Sequence, residues 1–152
     1  MVWTMVPSDL PRPLVFTCGV FDVLHRGHVD LLGRARGLGA SLVVALNTDA
    51  SARRLGKGPE RPVNTLVDRM ALLRALRPVD WVLSFDDDTP LALIEELKPD
   101  VLVKGGDWPV ERIVGAGSVL ARGGLVFSLP IQYQRSSTAT LAKLRPVGGV
   151  ID

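Results

Sequence analysis

Leu14-Val15-Phe16-Thr17-Cys18, then Gly19-Val20-Phe21-Asp22-Val23-Leu24-His25-Arg26-Gly27-His28, then a periodic stretch reaching Leu38, is the segment that decides the fold. Its first five residues form an apolar run too short for a lone helix, and so read as a strand buried on both faces. Residues 27–38 carry apolar positions at helical spacing. The alternation continues outward from there. Strands are predicted at 14–18, 41–47, 81–85, 100–104 and 125–129, and helices at 27–38, 66–76, 90–97, 110–122 and 136–144. Short apolar runs alternating with helical segments make a doubly wound α/β architecture of about five parallel strands with helices on both faces. Thr89 before Pro90 reads as an N-cap followed by proline at the first helical position. Gly39 and Gly123 stand where helices should stop.

A chain of 152 residues fits one compact domain, in which roughly 70% of the unfolded surface becomes buried. Residues 1–13 hold three prolines, Pro7, Pro11 and Pro13, and read as an N-terminal arm before a domain spanning 14–152. With 47% hydrophobic and 22% charged residues the composition is that of an ordinary globular protein. The net charge of +2 comes from dispersed basic residues, which suits a site for small anions and not a nucleic-acid footprint. No apolar run approaches the roughly 18 residues of a membrane span. The single cysteine, Cys18, cannot form an internal disulfide, so the expected compartment is the cytoplasm.

In open parallel sheets, ligands bind beyond the carboxyl ends of the strands, so candidate chemistry is sought there. Neither a P-loop nor a Gly-x-Gly-x-x-Gly stretch occurs. His25 and His28, the only two histidines, lie three residues apart at a predicted helix start and share one face. Beside free backbone N–H groups they can serve a phosphate; a solvated helix start or half of a zinc site are the competing readings. Gly27 and Gly19 lack side chains and would admit a ligand close to the backbone. Cys18 ends an apolar strand and reads as a structural thiol. Arg69 projects among Leu66, Leu72, Leu73 and Leu76 and so needs an anion, either a carboxylate in the core or a phosphate. Lys57, in Gly56-Lys57-Gly58, reads as a closing loop or a solvated one; Arg61 has the same two readings.

Gly19-Val20-Phe21-Asp22 running into Leu24-His25-Arg26-Gly27-His28 resembles the signature of the cytidylyltransferase-like nucleotidyltransferase superfamily, with its Rossmann-like sheet. The resemblance continues through Arg61-Pro62-Val63-Asn64, Arg69-Met70, Val79-Asp80-Trp81-Val82, Asp88-Thr89-Pro90, Lys98-Pro99-Asp100 and Lys104-Gly105-Gly106-Asp107. These later segments are similar to adenylyltransferases acting on D-glycero-D-manno-heptose 1-phosphate. The resemblance implies transfer of AMP from ATP to a heptose 1-phosphate, giving ADP-heptose for bacterial surface polysaccharide and releasing pyrophosphate. Many members of that group carry a fused sugar kinase, so here the sugar phosphate would come from a separate protein. Other transferases of the superfamily, acting on glycerol 3-phosphate, flavin or pantetheine phosphate, and a non-catalytic nucleotide sensor are the alternatives.

By resemblance, His25, His28, Arg69 and Lys57 would be catalytic. Gly19, Val20, Phe21, Gly27, Lys104, Gly106, Ser136, Ser137 and Thr138 would bind the nucleotide, and Asn47, Arg61, Asp107 and Trp108 the substrate. Magnesium would arrive on the phosphates without a dedicated protein cage. Asp22 would orient a histidine, assist the metal or hold the turn. Tight-turn packing at 104–108 and helix capping at 136–138 explain the same residues without a ligand. Gln134, Arg135 and Cys18 depart from the family pattern. The resemblance also implies an oligomer, for which the apolar start around Trp3 offers a surface to a second copy.

Overall fold

The computed structural model describes residues 5–133 and 136–144; Trp3, Gln134 and Arg135 lie outside the described residues. Five strands, β1 (Leu14–Gly19), β2 (Ser41–Asn47), β3 (Trp81–Phe85), β4 (Val101–Gly105) and β5 (Leu125–Leu129), form one parallel sheet in the order β3-β2-β1-β4-β5. The helices are α1 (Arg26–Arg36), α2 (Asp49–Arg54), α3 (Leu66–Arg74), α4 (Leu91–Leu97), α5 (Ala116–Ala121) and α6 (Ser137–Leu144).

Side chains alternate across a strand, so each strand feeds two cores. Phe16, Val43, Ala45, Leu83 and Leu102 meet Leu93 and Ile94 of α4 and Val119 of α5 on one face. Val15, Leu42, Val44, Val82 and Val103 meet Leu32 and Ala35 of α1 and Leu73 of α3 on the other. Every residue of β2 is buried, which is why that strand reads as an unbroken apolar run. The arm lies along the domain: Val6 and Leu10 pack on the first core, and Trp81 Nε1 donates to the Met5 carbonyl at 3.1 Å.

Two expectations need correction, and one helix had not been expected. The helix predicted over 110–122 is a 3₁₀ turn (Val110–Arg112) followed by α5, broken at Gly115, whose φ is 87° and whose missing Cβ would meet Ile94 at 2.8 Å. Thr89 does not cap α4; the N-cap is Pro90, with no side-chain bond. Helix α2, which periodicity did not show, begins behind Thr48, whose hydroxyl accepts from Ser51 N.

The strand order places the site. From β1 the chain steps outward to β2 and β3, then returns to add β4 and β5 on the opposite side, so the crevice opens between the carboxyl ends of β1 and β4. A cavity of about 340 Å³ occupies it, lined by Cys18 and Gly19 of β1, Lys104 and Gly105 of β4, and Leu129 of β5.

Candidate active site

The turn leaving β1 is strained and held from outside. Phe21 has φ 51° and Val23 φ 49°, the latter a costly conformation for a β-branched residue that persists only where its surroundings impose it. Asp22, buried, supplies much of that constraint. Its carboxylate accepts from Val63 N at 2.7 Å, Asn64 N at 3.0 Å and Arg61 Nε at 3.0 Å. Burial alone would raise its pKa, but the Asn64 and Val63 N–H groups and then Arg61 outweigh it and hold the carboxyl below the usual range. Ser137 Oγ donates to the Asp22 carbonyl, bringing the start of α6 against the same turn.

The two histidines build the first turn of α1. His25 is its N-cap, with Nδ1 accepting from Gly27 N at 3.1 Å, while His28 Nδ1 accepts from His25 N at 3.3 Å, a reciprocal capping box. Because both Nδ1 atoms accept, the proton of each neutral ring is assigned to Nε2. The rings stack at 3.8 Å between centroids, and Phe21 lies 5.3 Å from His28. Burial, then the charges of His25 and Lys57, push the His28 pKa down to about 4, with Asp22 opposing. At neutral pH His28 is therefore an uncharged N–H donor. Gly27 has a reason of its own: a Cβ there would stand 2.9 Å from His25 Cε1 and 3.0 Å from Nδ1.

The cavity walls are cationic. Lys57, Arg61, Lys104 and Arg34 line it, and the only carboxylate among the described lining residues is Asp22, already engaged. Ser136, Ser137 and Thr138 line it too, as do Gly19, Val20, Phe21 and Gly27, and Arg61 Nη1 donates to Thr138 Oγ1 at 3.3 Å. Arg34 was missed by sequence reasoning. It lies seven residues after Gly27 on α1, on the face that Gly27 and Leu31 also turn to the cavity, which was the available signal, and is held by Asp30 at 3.0 Å and the Pro130 carbonyl at 2.6 Å. Cys18 also lines the cavity, but burial pushes its thiol up to about 11, against a smaller opposing effect of Lys104, so it is no nucleophile at neutral pH.

Other expected residues stand apart. Arg69 is fully buried and outside the cavity wall, and its donors go to Asn64, Val20, Asn47 and Asp49. The carboxylate reading holds for it, because a ring of internal acceptors has taken the place expected for phosphate. Asn47 Nδ2 donates to Ser51 Oγ at 3.0 Å inside the core, so its amide is turned away from the cavity. Gly106 (φ 110°), Asp107 and Trp108 form the turn after β4, pinned by Ser128, whose Oγ donates to Gly106 O and accepts from Trp108 N. They do not line the cavity, although Lys104 Nζ sits 5.3 Å from the centre of the exposed Trp108 ring. Among the described residues no group of three potential ligands could hold a metal ion.

A family model described as cytidylyltransferase-like matches residues 16–118, and the chain belongs to that family. Among its relatives, the D-beta-D-heptose 1-phosphate adenylyltransferase of Bordetella bronchiseptica is 54% identical over 145 residues, covering 95% of this chain and 90% of that protein. The bifunctional protein HldE of Azotobacter vinelandii is 52% identical over 132 residues, 87% of this chain but only 28% of that longer protein. A solved lipopolysaccharide core biosynthesis protein from Thermoplasma volcanium superposes with a TM-score of 0.64 at 30% identity, covering 80% of this chain and 98% of that one. The pantoate-beta-alanine ligase of Francisella tularensis shares the fold, with a TM-score of 0.55 at 14% identity over 85% of this chain and 64% of its own.

Proposed function

We infer that this protein transfers AMP from ATP to a heptose 1-phosphate, releasing pyrophosphate and forming ADP-heptose. The observation that carries this reading is the crevice between β1 and β4, lined by two imidazoles and by Lys57, Lys104, Arg34 and Arg61, where the only carboxylate among the described lining residues, Asp22, is paired with Arg61. That chemistry suits a polyanion, and the Bordetella relative, 54% identical over 145 residues, directs the choice of acceptor.

In the reaction, a phosphate oxygen of the sugar phosphate attacks the α-phosphorus of ATP as the bond from that phosphorus to the pyrophosphate oxygen breaks. No proton need move and no covalent enzyme intermediate forms. Lys57, Arg61, Lys104 and Arg34 hold the phosphates, the backbone and hydroxyls at 136–138 receive them, and the histidines donate to oxygens on which charge develops. Magnesium would enter as the counter-ion of the triphosphate, since the described residues offer no cage for it. The protein acts in the cytoplasm in this reading. Among the described residues no helix is long and apolar enough to cross a membrane.

The test is pyrophosphate release with each nucleoside triphosphate against a panel of sugar, alditol and cofactor phosphates. ATP with a heptose 1-phosphate should turn over. Turnover with CTP and glycerol 3-phosphate, or with flavin or pantetheine phosphate, would replace the assigned substrates, and binding of ATP without turnover in any pair would make the protein a sensor.

A further inference from the structure

Arg69 is the largest side chain with no solvent exposure among the described residues. Its planar fork reaches four separate segments. Nε donates to Asn64 O at 3.0 Å, Nη1 to both Val20 O and Asn47 O at 2.9 Å, and Nη2 to Asp49 Oδ1 at 2.7 Å. One guanidinium thus ties the turn after β1 to the end of β2, the start of α2 and the loop leading into α3. A buried ion pair is a poor source of net stability, because desolvation offsets most of its attraction. What this arrangement supplies is geometry.

The acceptor that matters is Val20 O. It belongs to the peptide linking Val20 to Phe21, and the orientation of that peptide is set by the left-handed φ of 51° at Phe21. Phe21 in turn packs against His28 at 5.3 Å and covers Gly19, where a Cβ would lie 3.1 Å from its ring. We propose that Arg69 is a positioning residue that locks the Val20–Phe21 peptide, so that Phe21 holds the His28 ring in its stack against His25. Lysine has one nitrogen where arginine has a fork, and cannot serve four acceptors in one plane. The effect on turnover rests on the transferase reading; the effect on the His28 ring does not.

The experiment uses the full chain and its Arg69→Lys variant, with circular dichroism to establish folding. NMR titration of the two histidines is the first readout. His28 should titrate near 4 in the parent, under the influence of His25, Lys57 and Asp22, and about one unit or more higher, towards 6.5, in the variant. Steady-state kinetics are the second: kcat should fall by roughly tenfold or more while KM for ATP changes by less than about threefold, since a misplaced donor costs the transition state first. A folded variant with a lower melting temperature but parental His28 titration and kcat overturns the proposal. Should Arg69→Lys not fold, Asp49→Ala decides, because Asp49 is partly exposed and losing its carboxylate leaves only one corner of the fork without an acceptor. It should show a smaller rise of the same sign and a fall in kcat of about threefold, and parental behaviour overturns the lock. If the parent itself shows no turnover, the transferase reading fails alone and the titration still tests Arg69.

Discussion

Replacing Gly27 by alanine separates stability from turnover. Gly27 lies in the first turn of α1, where alanine should stabilise the helix by about 0.8–1.0 kcal/mol over glycine. The new Cβ, however, would stand 2.9 Å from His25 Cε1, against about 3.5 Å for the closest comfortable carbon contact. The ring must therefore retreat by about 0.6 Å. It is not a free chain end, since its Nδ1 caps Gly27 N at 3.1 Å and its face stacks on His28 at 3.8 Å. Losing the cap costs about 1 kcal/mol, so the two stability effects nearly cancel. Turnover has no such compensation: a displacement of about 1 Å in a catalytic group costs about a hundredfold, which scales to roughly tenfold or more here. Urea unfolding and steady-state pyrophosphate release should show an unfolding midpoint close to the parent's with kcat about tenfold lower. A variant that keeps kcat within about twofold would refute the claim that the His25–His28 stack is set to sub-ångström tolerance.

His28→Ala should fold and lose about 10²–10³ in kcat, the cost of one preorganised donor; unchanged release of pyrophosphate would remove His28 from the mechanism. Asp22→Asn leaves Arg61 buried without its charge partner and should destabilise the protein by about 3–5 kcal/mol in urea unfolding, and a loss under about 1 kcal/mol would show that the pair is dispensable. Stability should fall in acid. His28 is pushed down to about 4 in the folded state against 6.5 unfolded, so the unfolded chain binds more protons between those values, and this contribution, complete above 6.5, is lost as pH falls towards 4. The lowered Asp22 carboxyl acts in the same direction at lower pH, being lost as pH falls through its folded value, so urea midpoints that rose from pH 7 to pH 4.5 would contradict the His28 assignment.

How much of this was legible depended on whether the cause was local. The strands of a doubly covered sheet announce themselves as apolar runs, so β2 and β3 lie where the residues alone put them. Helix α2 has only six residues, too few for a period to emerge, and its one local sign was Thr48 before Asp49. The break before α5 falls at Gly115, whose left-handed turn leaves no room for a Cβ against Ile94 of α4, a contact that no window along residues 110–122 contains. The site divides in the same way. His25 and His28 cap one another within a single turn, so their pairing is written into their spacing. Arg69 was readable as an inward arginine in want of an anion, but its partner, Asp49, stands 20 positions earlier on another helix.

Those two kinds of residue also divide the chemistry. The cationic wall attracts a triphosphate wherever along the reaction its charge lies, and such uniform attraction deepens binding without speeding the chemical step. The imidazoles differ because His28 is held uncharged by burial and by its neighbours, with Nδ1 fixed on a backbone N–H. A neutral donor gains little from a resting phosphate oxygen and more from one whose charge is growing, and its stacked position means that no reorganisation is required when that charge appears. If Arg69 locks the Val20–Phe21 peptide, the left-handed turn at Phe21 sets the depth to which the His28 ring is sunk. Cations added to this wall should therefore tighten ATP binding without raising kcat, whereas relaxing the turn should lower kcat with little effect on binding.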